Sequence, residues 1–121
     1  AAPAPVILVP GTAGSQLQAR LDKPSVTHFY CSRHSAWYTI WLDVSQLLPE
    51  AINCWCDNIR LLWHNKSQTY TNNVGVYTRT PGWGDTHSIE YLDPGLKAGA
   101  YFHDLVEALV TVGGVRNASI R

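Results

Sequence analysis

The stretch Val6-Ile7-Leu8-Val9-Pro10-Gly11 decides the fold of this chain. A continuous apolar run that ends at proline and glycine is typical of a strand that is buried on both faces of a sheet. Gly11-Thr12-Ala13-Gly14 follows as a flexible turn, in which the backbone can approach a ligand closely. A buried strand that leads into such a turn predicts the opening of an α/β sheet fold.

The charge balance argues against a nucleic-acid partner. Nine basic and nine acidic residues cancel, so the sequence has no electrostatic footprint for nucleic acid or for an anionic surface. Any membrane contact must therefore come from apolar groups. No apolar run reaches the roughly 18 to 20 residues that are needed to cross a bilayer.

The two ends of the sequence suggest a processed part of a longer enzyme. The chain contains no methionine, and Ala1-Ala2-Pro3-Ala4-Pro5 is similar to the small residues that remain after a signal peptide is cleaved. No G-x-S-x-G nucleophile elbow is present, since Ser15 is flanked at the required positions by Ala13 and Leu17. We therefore expect the front part of an enzyme whose nucleophile lies elsewhere.

Hydrophobic spacing predicts the secondary structure of the first two thirds. Residues 15–21 alternate polar and apolar side chains, which suits a strand or a short helix equally. Trp37, Trp41, Val44 and Leu48 share one helical face, and Pro49 is expected to end that helix. Residues 53–63 are strand-like, and residues 65–73 form a polar loop.

The last third is predicted to contain a strand and the clearest helix. Residues 74–80 predict a strand that ends at a turn over residues 81–84. Residues 98–112 predict a helix that stops at Gly113. Its apolar stripe consists of Tyr101, Leu105, Ala108, Leu109 and Val112. Phe102 and Val106 widen this stripe. His103, Asp104 and Glu107 are expected to face away from it.

The cysteines and two sequons indicate a secreted or lumenal compartment. Cys31, Cys54 and Cys56 permit a reduced set, a metal site or one disulfide with a spare thiol, and the Cys54–Cys56 spacing is too short for the usual zinc pattern. From the residues alone, either Cys54 or Cys56 can meet Cys31. Glycosylation sequons begin at Asn65 and Asn117.

Six motifs, in order along the chain, resemble the amino-terminal pattern of the lecithin:cholesterol acyltransferase and lysosomal phospholipase A2 family. The resemblance covers nearly the whole sequence, which makes it far more specific than any one motif. The motifs are Val6-Ile7-Leu8-Val9-Pro10-Gly11, Leu21-Asp22-Lys23-Pro24, Thr39-Ile40-Trp41-Leu42, Cys54-Trp55 with Asp57-Asn58, Pro81-Gly82-Trp83-Gly84 and Glu90-Tyr91-Leu92-Asp93.

The resemblance implies a fold of the α/β class, the amino-terminal fragment of an α/β-hydrolase with a disulfide-stapled membrane-binding insert. Residues 1–30 then hold the start of the hydrolase core with the oxyanion loop. Residues 31–73 form the insert, and residues 74–121 return to the core and its first long helix. The family's Ser, Asp and His triad lies beyond the matched region, so the chain alone is expected to be inactive.

The implied function is that of a phospholipase A and O-acyltransferase in lipid metabolism. An acyl chain passes from a phospholipid through an acyl-serine to water or a lipid alcohol, with no cofactor and no metal. The implied partners are a phospholipid membrane or lipoprotein surface and a lipid alcohol acceptor. The implied location is outside the cell or in the lysosomal lumen. The alternative from another class is a non-catalytic lipid-surface binding module.

Site residues also follow from the resemblance. Thr12 occupies the position whose backbone N–H belongs to the oxyanion hole. Cys31 and Cys54 match the family's first disulfide, which leaves Cys56 as a buried free thiol. Asn65 is the expected glycosylation site because of its sequon. The residues of the stapled insert that are expected to contact lipid are Trp37, Tyr38, Trp41, Leu47 and Leu48. The alternative is that these residues pack against another domain.

Overall fold

The computed structural model describes residues 4–121, and these form two compact units. The terminal unit consists of the described residues up to Gln16 together with the segment from Thr80 to Arg121, and the inserted unit is Leu17–Arg79. Both contain strands and helices, so the predicted α/β class is confirmed at that level. The division into 1–30, 31–73 and 74–121 concerns the complete enzyme and stays a prediction.

A three-stranded antiparallel sheet is the centre of the inserted unit. Its order is β2-β1-β5, formed by Tyr38–Trp41 (β2), Leu17–Leu21 (β1) and Val76–Arg79 (β5). The alternation in residues 17–21 produces a strand because it turns Ala19 and Leu21 to one buried face. These two residues pack with Ile40 and Val76 in the core.

The helix predicted around residues 37–48 is wrong. This segment contains β2, which pairs with β1, followed by a 3₁₀ helix at Val44–Leu47. The α-helix of the inserted unit, α1, is Ile52–Ile59, in a stretch that was predicted to be a strand. Cross-strand pairing overrides the helical spacing of Trp37 and Trp41, while Trp55 and Ile59, four residues apart, pack α1 against the core.

A hairpin follows α1. Leu61–His64 (β3) pairs antiparallel with Thr69–Asn72 (β4), and residues 65–68 connect them. Half of the predicted polar loop is therefore a strand, because its threonines and Tyr70 suit an exposed pleated edge. The strand predicted at residues 74–80 is confirmed as β5.

The first apolar run belongs to the terminal unit and pairs in parallel with the end of the chain. Val6 N–H donates to the Ser119 carbonyl at 2.7 Å, and Arg121 N–H donates back to the Val6 carbonyl at 3.0 Å. The predicted burial on both faces is wrong for the described residues, since Ile7 and Val9 are 78% and 79% exposed. Nothing among residues 4–121 covers their face of the run.

The remainder of the terminal unit alternates short helices and strands. His87–Glu90 (α2) leads into Tyr91–Asp93 (β6), which pairs with Ala98–Ala100 (β7), and His103–Thr111 forms α3. The predicted helix therefore begins five residues late, since residues 98–100 are a strand. It ends as predicted, with Gly113 at φ 97°. No helix among the described residues is long and apolar enough to cross a membrane.

The buried face of α3 also differs from the predicted stripe. Val106 is fully buried, whereas Leu105 and Val112 are exposed. His103, which was expected to face away, is half-buried because its Nδ1 lies 3.1 Å from the Glu90 carboxylate. A polar contact therefore sets the rotation of this helix, and hydrophobic spacing does not report it.

Candidate active-site loop and lipid-contact surface

A tight turn presents Thr12 in the terminal unit. Gly14 N–H donates to the Gly11 carbonyl at 3.0 Å, which places Thr12 and Ala13 at the two corners. Ala13 has φ 63°, while Thr12 is not among the residues with positive φ, as in a type II turn. Thr12 is exposed, and its N–H has no hydrogen-bond partner among residues 4–121.

Tyr101 holds this turn. Gly11 N–H donates to the Tyr101 hydroxyl at 3.3 Å. A Cβ at the buried Gly14 would lie 2.7 Å from the ring carbon Cε1 of Tyr101, so only glycine fits there. The sequence placed Tyr101 on a helical stripe, and no local pattern links it to a turn 90 residues earlier.

An apolar cleft of about 310 Å³ begins beside the turn. Pro10 and Ser15, on either side of the turn, contribute to its wall, and so does Trp83, which is itself largely exposed. Gly82 has φ 59°, and a side chain there would collide with His87. The cleft suits an apolar occupant because few polar groups line it.

Cys31 and Cys54 form a disulfide that joins the loop before β2 to α1. This is the pairing that the family resemblance implied. The prediction of a buried Cys56 thiol is wrong, because Cys56 is exposed. In a strand Cys54 and Cys56 would share a face, but residues two apart on a helix are separated by about 200°.

The structure separates four of the five predicted lipid-contact residues into two groups, and Trp37 is the fifth. Leu48 is 52% exposed directly after the 3₁₀ helix, and Leu47 is half-buried at its end. Trp41 packs against Trp55, with ring centroids 6.3 Å apart. Tyr38 accepts a hydrogen bond from Asn58 at 3.4 Å. The two aromatic side chains therefore support α1, while the leucines lie nearer to solvent.

Trp37 lies at a shallow depression of about 470 Å³ in the inserted unit. The guanidinium of Arg79 lies 4.2 Å from its ring centroid, so a cation orients the ring. Sequence reasoning missed four other exposed apolar residues of the inserted unit. The aromatic pair directly before Cys31 was the signal that could have revealed two of them. The missed exposed residues are Phe29, Tyr30, Val44 and Ile52.

A buried ion pair fixes α1 to the end of β1. Lys23 is buried, and its Nζ donates to the Asp57 carboxylate and, at 3.0 Å, to Asn58 Oδ1. Burial raises the pKa of Asp57, but the hydrogen bond and charge of Lys23, assisted by Thr27 and Arg60, outweigh burial and hold that pKa below its ordinary value. The carboxylate is therefore charged at neutral pH.

A second polar cluster surrounds Glu90 in the terminal unit. Its carboxylate accepts hydrogen bonds from Thr86 at 2.7 Å and from Arg116 at 3.1 Å, and His103 lies beside it. Burial raises the pKa of Glu90, but these partners outweigh it and lower that pKa overall. Glu90, His103 and Glu107 place ligand atoms within 4.8 Å of one another, but Arg116 already forms ion pairs with both carboxylates.

These features define an α/β protein with a glycine-framed turn beside an apolar cleft and a separate, disulfide-stapled apolar unit. A family model described as lecithin:cholesterol acyltransferase matches residues 37–121. The chain belongs to the lecithin:cholesterol acyltransferase family, and the resemblance inferred from its motifs is confirmed.

Named relatives are enzymes of lipid acyl transfer. The chain is 49% identical over 119 residues to a lysosomal phospholipase A and acyltransferase from Bos taurus, a match that covers 97% of this chain and 29% of that protein. It is 48% identical over 118 residues to the phosphatidylcholine-sterol acyltransferase of Homo sapiens, which covers 97% of this chain and 27% of that protein. The chain thus spans less than a third of these relatives.

Proposed function

We propose that this chain is the amino-terminal part of a phospholipase A and O-acyltransferase, to which it contributes the oxyanion turn and a lipid-contact unit. The hydroxyl of a serine elsewhere in the enzyme attacks the ester carbonyl of a phospholipid, and the lysophospholipid leaves. Water or the hydroxyl of a lipid alcohol then attacks the acyl-serine and releases a fatty acid or a new ester. The compartment is the lysosomal lumen or the extracellular space.

The exposed N–H of Thr12, which has no hydrogen-bond partner among residues 4–121, carries this proposal. An oxyanion hole needs a donor that is fixed where negative charge develops. The Gly11–Gly14 turn and the Tyr101 hydroxyl fix the backbone around that N–H, and the family of the chain is one of acyltransferases. The adjacent apolar cleft suits an apolar group such as an acyl chain.

The turn geometry permits a sharp test in the full-length protein. Proline is favoured at the second position of a type II turn, where Thr12 stands, and it lacks an N–H. Thr12→Pro should therefore keep the turn and delete the donor. Loss of one oxyanion donor typically lowers turnover about 100- to 1000-fold. Thr12→Val keeps both the N–H and the shape, so its kcat should stay within a few-fold of the wild type.

Phospholipid turnover on vesicles is the assay, and the unfolding midpoint of each variant is the control for folding. A folded Thr12→Pro enzyme that turns over at the wild-type rate would contradict the oxyanion role. A folded Thr12→Val enzyme with a large loss would show instead that the hydroxyl takes part.

Lipid contact through the inserted unit is the second part of the proposal. The chain has no net charge, so binding must rest on exposed apolar groups, and Trp and Tyr suit a boundary where one edge of the ring remains wet. Leu48 and Trp37 are the predicted contacts that reach solvent, and Phe29 extends the exposed set. This surface alone also fits the alternative of a non-catalytic binding module. Full-length protein that binds vesicles and shows no phospholipid turnover would favour that alternative.

A further inference from the structure

One face of the β3–β4 hairpin is aromatic and open to solvent. Trp63 lies directly opposite Tyr70 in the strand register, and their ring centroids are 4.7 Å apart. Leu61, two residues before Trp63, lies on the same face because side chains alternate along a strand. Trp63 is 47% exposed and Tyr70 is 65% exposed. Two large rings thus pack against each other, and about half of Trp63 and most of Tyr70 stay exposed.

The other face of the hairpin carries His64, Thr69 and Thr71 together with one half-buried apolar residue, Leu62. His64 Nε2 lies 2.7 Å from the Thr71 hydroxyl, and both residues alternate away from the aromatic face. The hairpin therefore has one face that combines a half-buried leucine with hydrogen-bonded polar groups, and one face on which two aromatic rings remain exposed.

The loop of this hairpin carries the sequon Asn65-Lys66-Ser67. Asn65 follows Trp63 by two residues and is the first residue of the turn that leaves β3. Asn65 Oδ1 accepts a hydrogen bond from Gln68 Nε2 at 3.1 Å, which turns the carboxamide and leaves Nδ2 without a partner among the described residues. Nδ2 is the atom to which an N-linked glycan is attached, and the Asn65 residue is exposed.

We propose that an N-linked glycan on Asn65 folds back onto the hairpin, and that its first N-acetylglucosamine covers the rings of Trp63 and Tyr70. Attachment joins Asn65 Nδ2 to C1 of the sugar, with a lipid-linked oligosaccharide pyrophosphate as donor. Nδ2 loses a proton, and the lipid pyrophosphate is the leaving group. The apolar C–H face of the sugar then packs on the ring faces, as apolar groups do on exposed aromatic side chains.

The tether favours the glycan over a lipid or protein partner for this face. A sugar attached two residues from Trp63 is present at a high effective concentration without any association step. A bulky hydrophilic glycan at the loop would also hold the hairpin away from a bilayer. The lipid-contact residues named above belong to other segments of the inserted unit.

The test compares two glycoforms of the same folded, full-length glycoprotein from eukaryotic cells. An endoglycosidase leaves one N-acetylglucosamine on Asn65, and an amidase removes the glycan completely and leaves aspartate. Hydrogen exchange of the β3 and β4 amides should be about two- to tenfold slower with the single sugar, the range that corresponds to one aromatic contact. An Asn65→Asp protein should match the amidase-treated form.

Two pairs of variants identify the origin of this protection. Trp63→Leu keeps an apolar strand residue but removes the ring, so the difference between the glycoforms should disappear. Tyr77→Leu removes an exposed ring from β5 and should leave the difference unchanged. Ser67→Thr preserves the sequon and the effect, whereas Ser67→Ala abolishes both.

Three results would overturn the proposal. The first is an Asn65 that glycopeptide mass spectrometry finds unoccupied in the secreted wild-type protein. The second is equal exchange in the two glycoforms. The third is a glycoform difference that persists in Trp63→Leu. Equal exchange together with weaker vesicle binding by Trp63→Leu would assign the face to lipid.

Discussion

Replacement of Lys23 by methionine tests whether the buried ion pair holds α1 on the sheet. Methionine keeps most of the apolar stem and removes the cation. Asp57 then retains Arg60 at 3.2 Å and Asn73 at 3.1 Å, so part of its charge stays compensated. Breaking a buried pair by removing one partner typically costs about 3 to 5 kcal/mol. We expect the lower end, about 3 kcal/mol.

Urea unfolding of the full-length protein, followed by tryptophan fluorescence, measures this loss. Because the slope for a protein of several hundred residues is about 3 kcal/mol per molar urea or more, the midpoint should fall by up to about 1 M. Lys66→Met alters an exposed lysine and should change the free energy of unfolding by less than about 0.5 kcal/mol. Adding Asp57→Asn to Lys23→Met should restore part of the stability, because no uncompensated carboxylate remains.

The effect of Lys23→Met also has a defined pH dependence. The pKa of Asp57 in the folded protein is lowered. The ion pair therefore contributes its full stabilisation above the unfolded-state pKa of about 3.9, and this stabilisation is lost as the pH falls through the folded-state pKa. The difference between wild type and variant should therefore be large at pH 7 and smaller at pH 3. An unchanged midpoint at pH 7, or a difference that grows on acidification, would refute the reasoning.

Three further predictions concern exposed or functional groups. Tyr101→Phe removes the acceptor for Gly11 N–H and should lower kcat several-fold with little change in KM. An unchanged kcat would show that the Tyr101 hydroxyl does not position the turn. Leu48→Ser should weaken vesicle binding about tenfold or more at any ionic strength, since burial of a leucine side chain contributes about 1.5 to 3 kcal/mol. Leu61→Ser, at a similarly exposed position, should leave vesicle binding unchanged. Cys56 should react with a maleimide in the native protein without reduction, and protection until unfolding would contradict its exposure.

Local sequence patterns predicted the elements whose conformation depends on nearby residues. The strand at β5 and the end of α3 at Gly113 required only alternation and a left-handed glycine. The Cys31–Cys54 disulfide needed the family resemblance, because the residues alone left Cys54 and Cys56 equivalent. Helix and strand were exchanged between residues 37–48 and 53–59, since pairing of β2 with β1 decides that region and leaves no mark on local spacing.

The polar networks could not be predicted because their members are far apart in sequence. Lys23 and Asp57 are separated by 34 positions, and Glu90 and Arg116 by 26. Taken alone, each of these residues is of a charged type that usually lies exposed at the surface. Only the fold shows that Lys23 is buried. The candidate oxyanion residue Thr12 was found through the family resemblance, while the groups that support its turn were not found.

The terminal unit links the Glu90 cluster to the candidate oxyanion turn through hydrogen bonds. Thr86, His103 and Arg116 fix the Glu90 side chain. The Glu90 carbonyl accepts from Tyr101 N–H at 3.0 Å, and the Tyr101 hydroxyl accepts from Gly11 N–H. Because a donor aids catalysis only when it is already in place as charge develops, loosening Tyr101 should reduce turnover through its effect on the position of the turn. A loss in kcat without a loss in KM is the signature of such a positioning role.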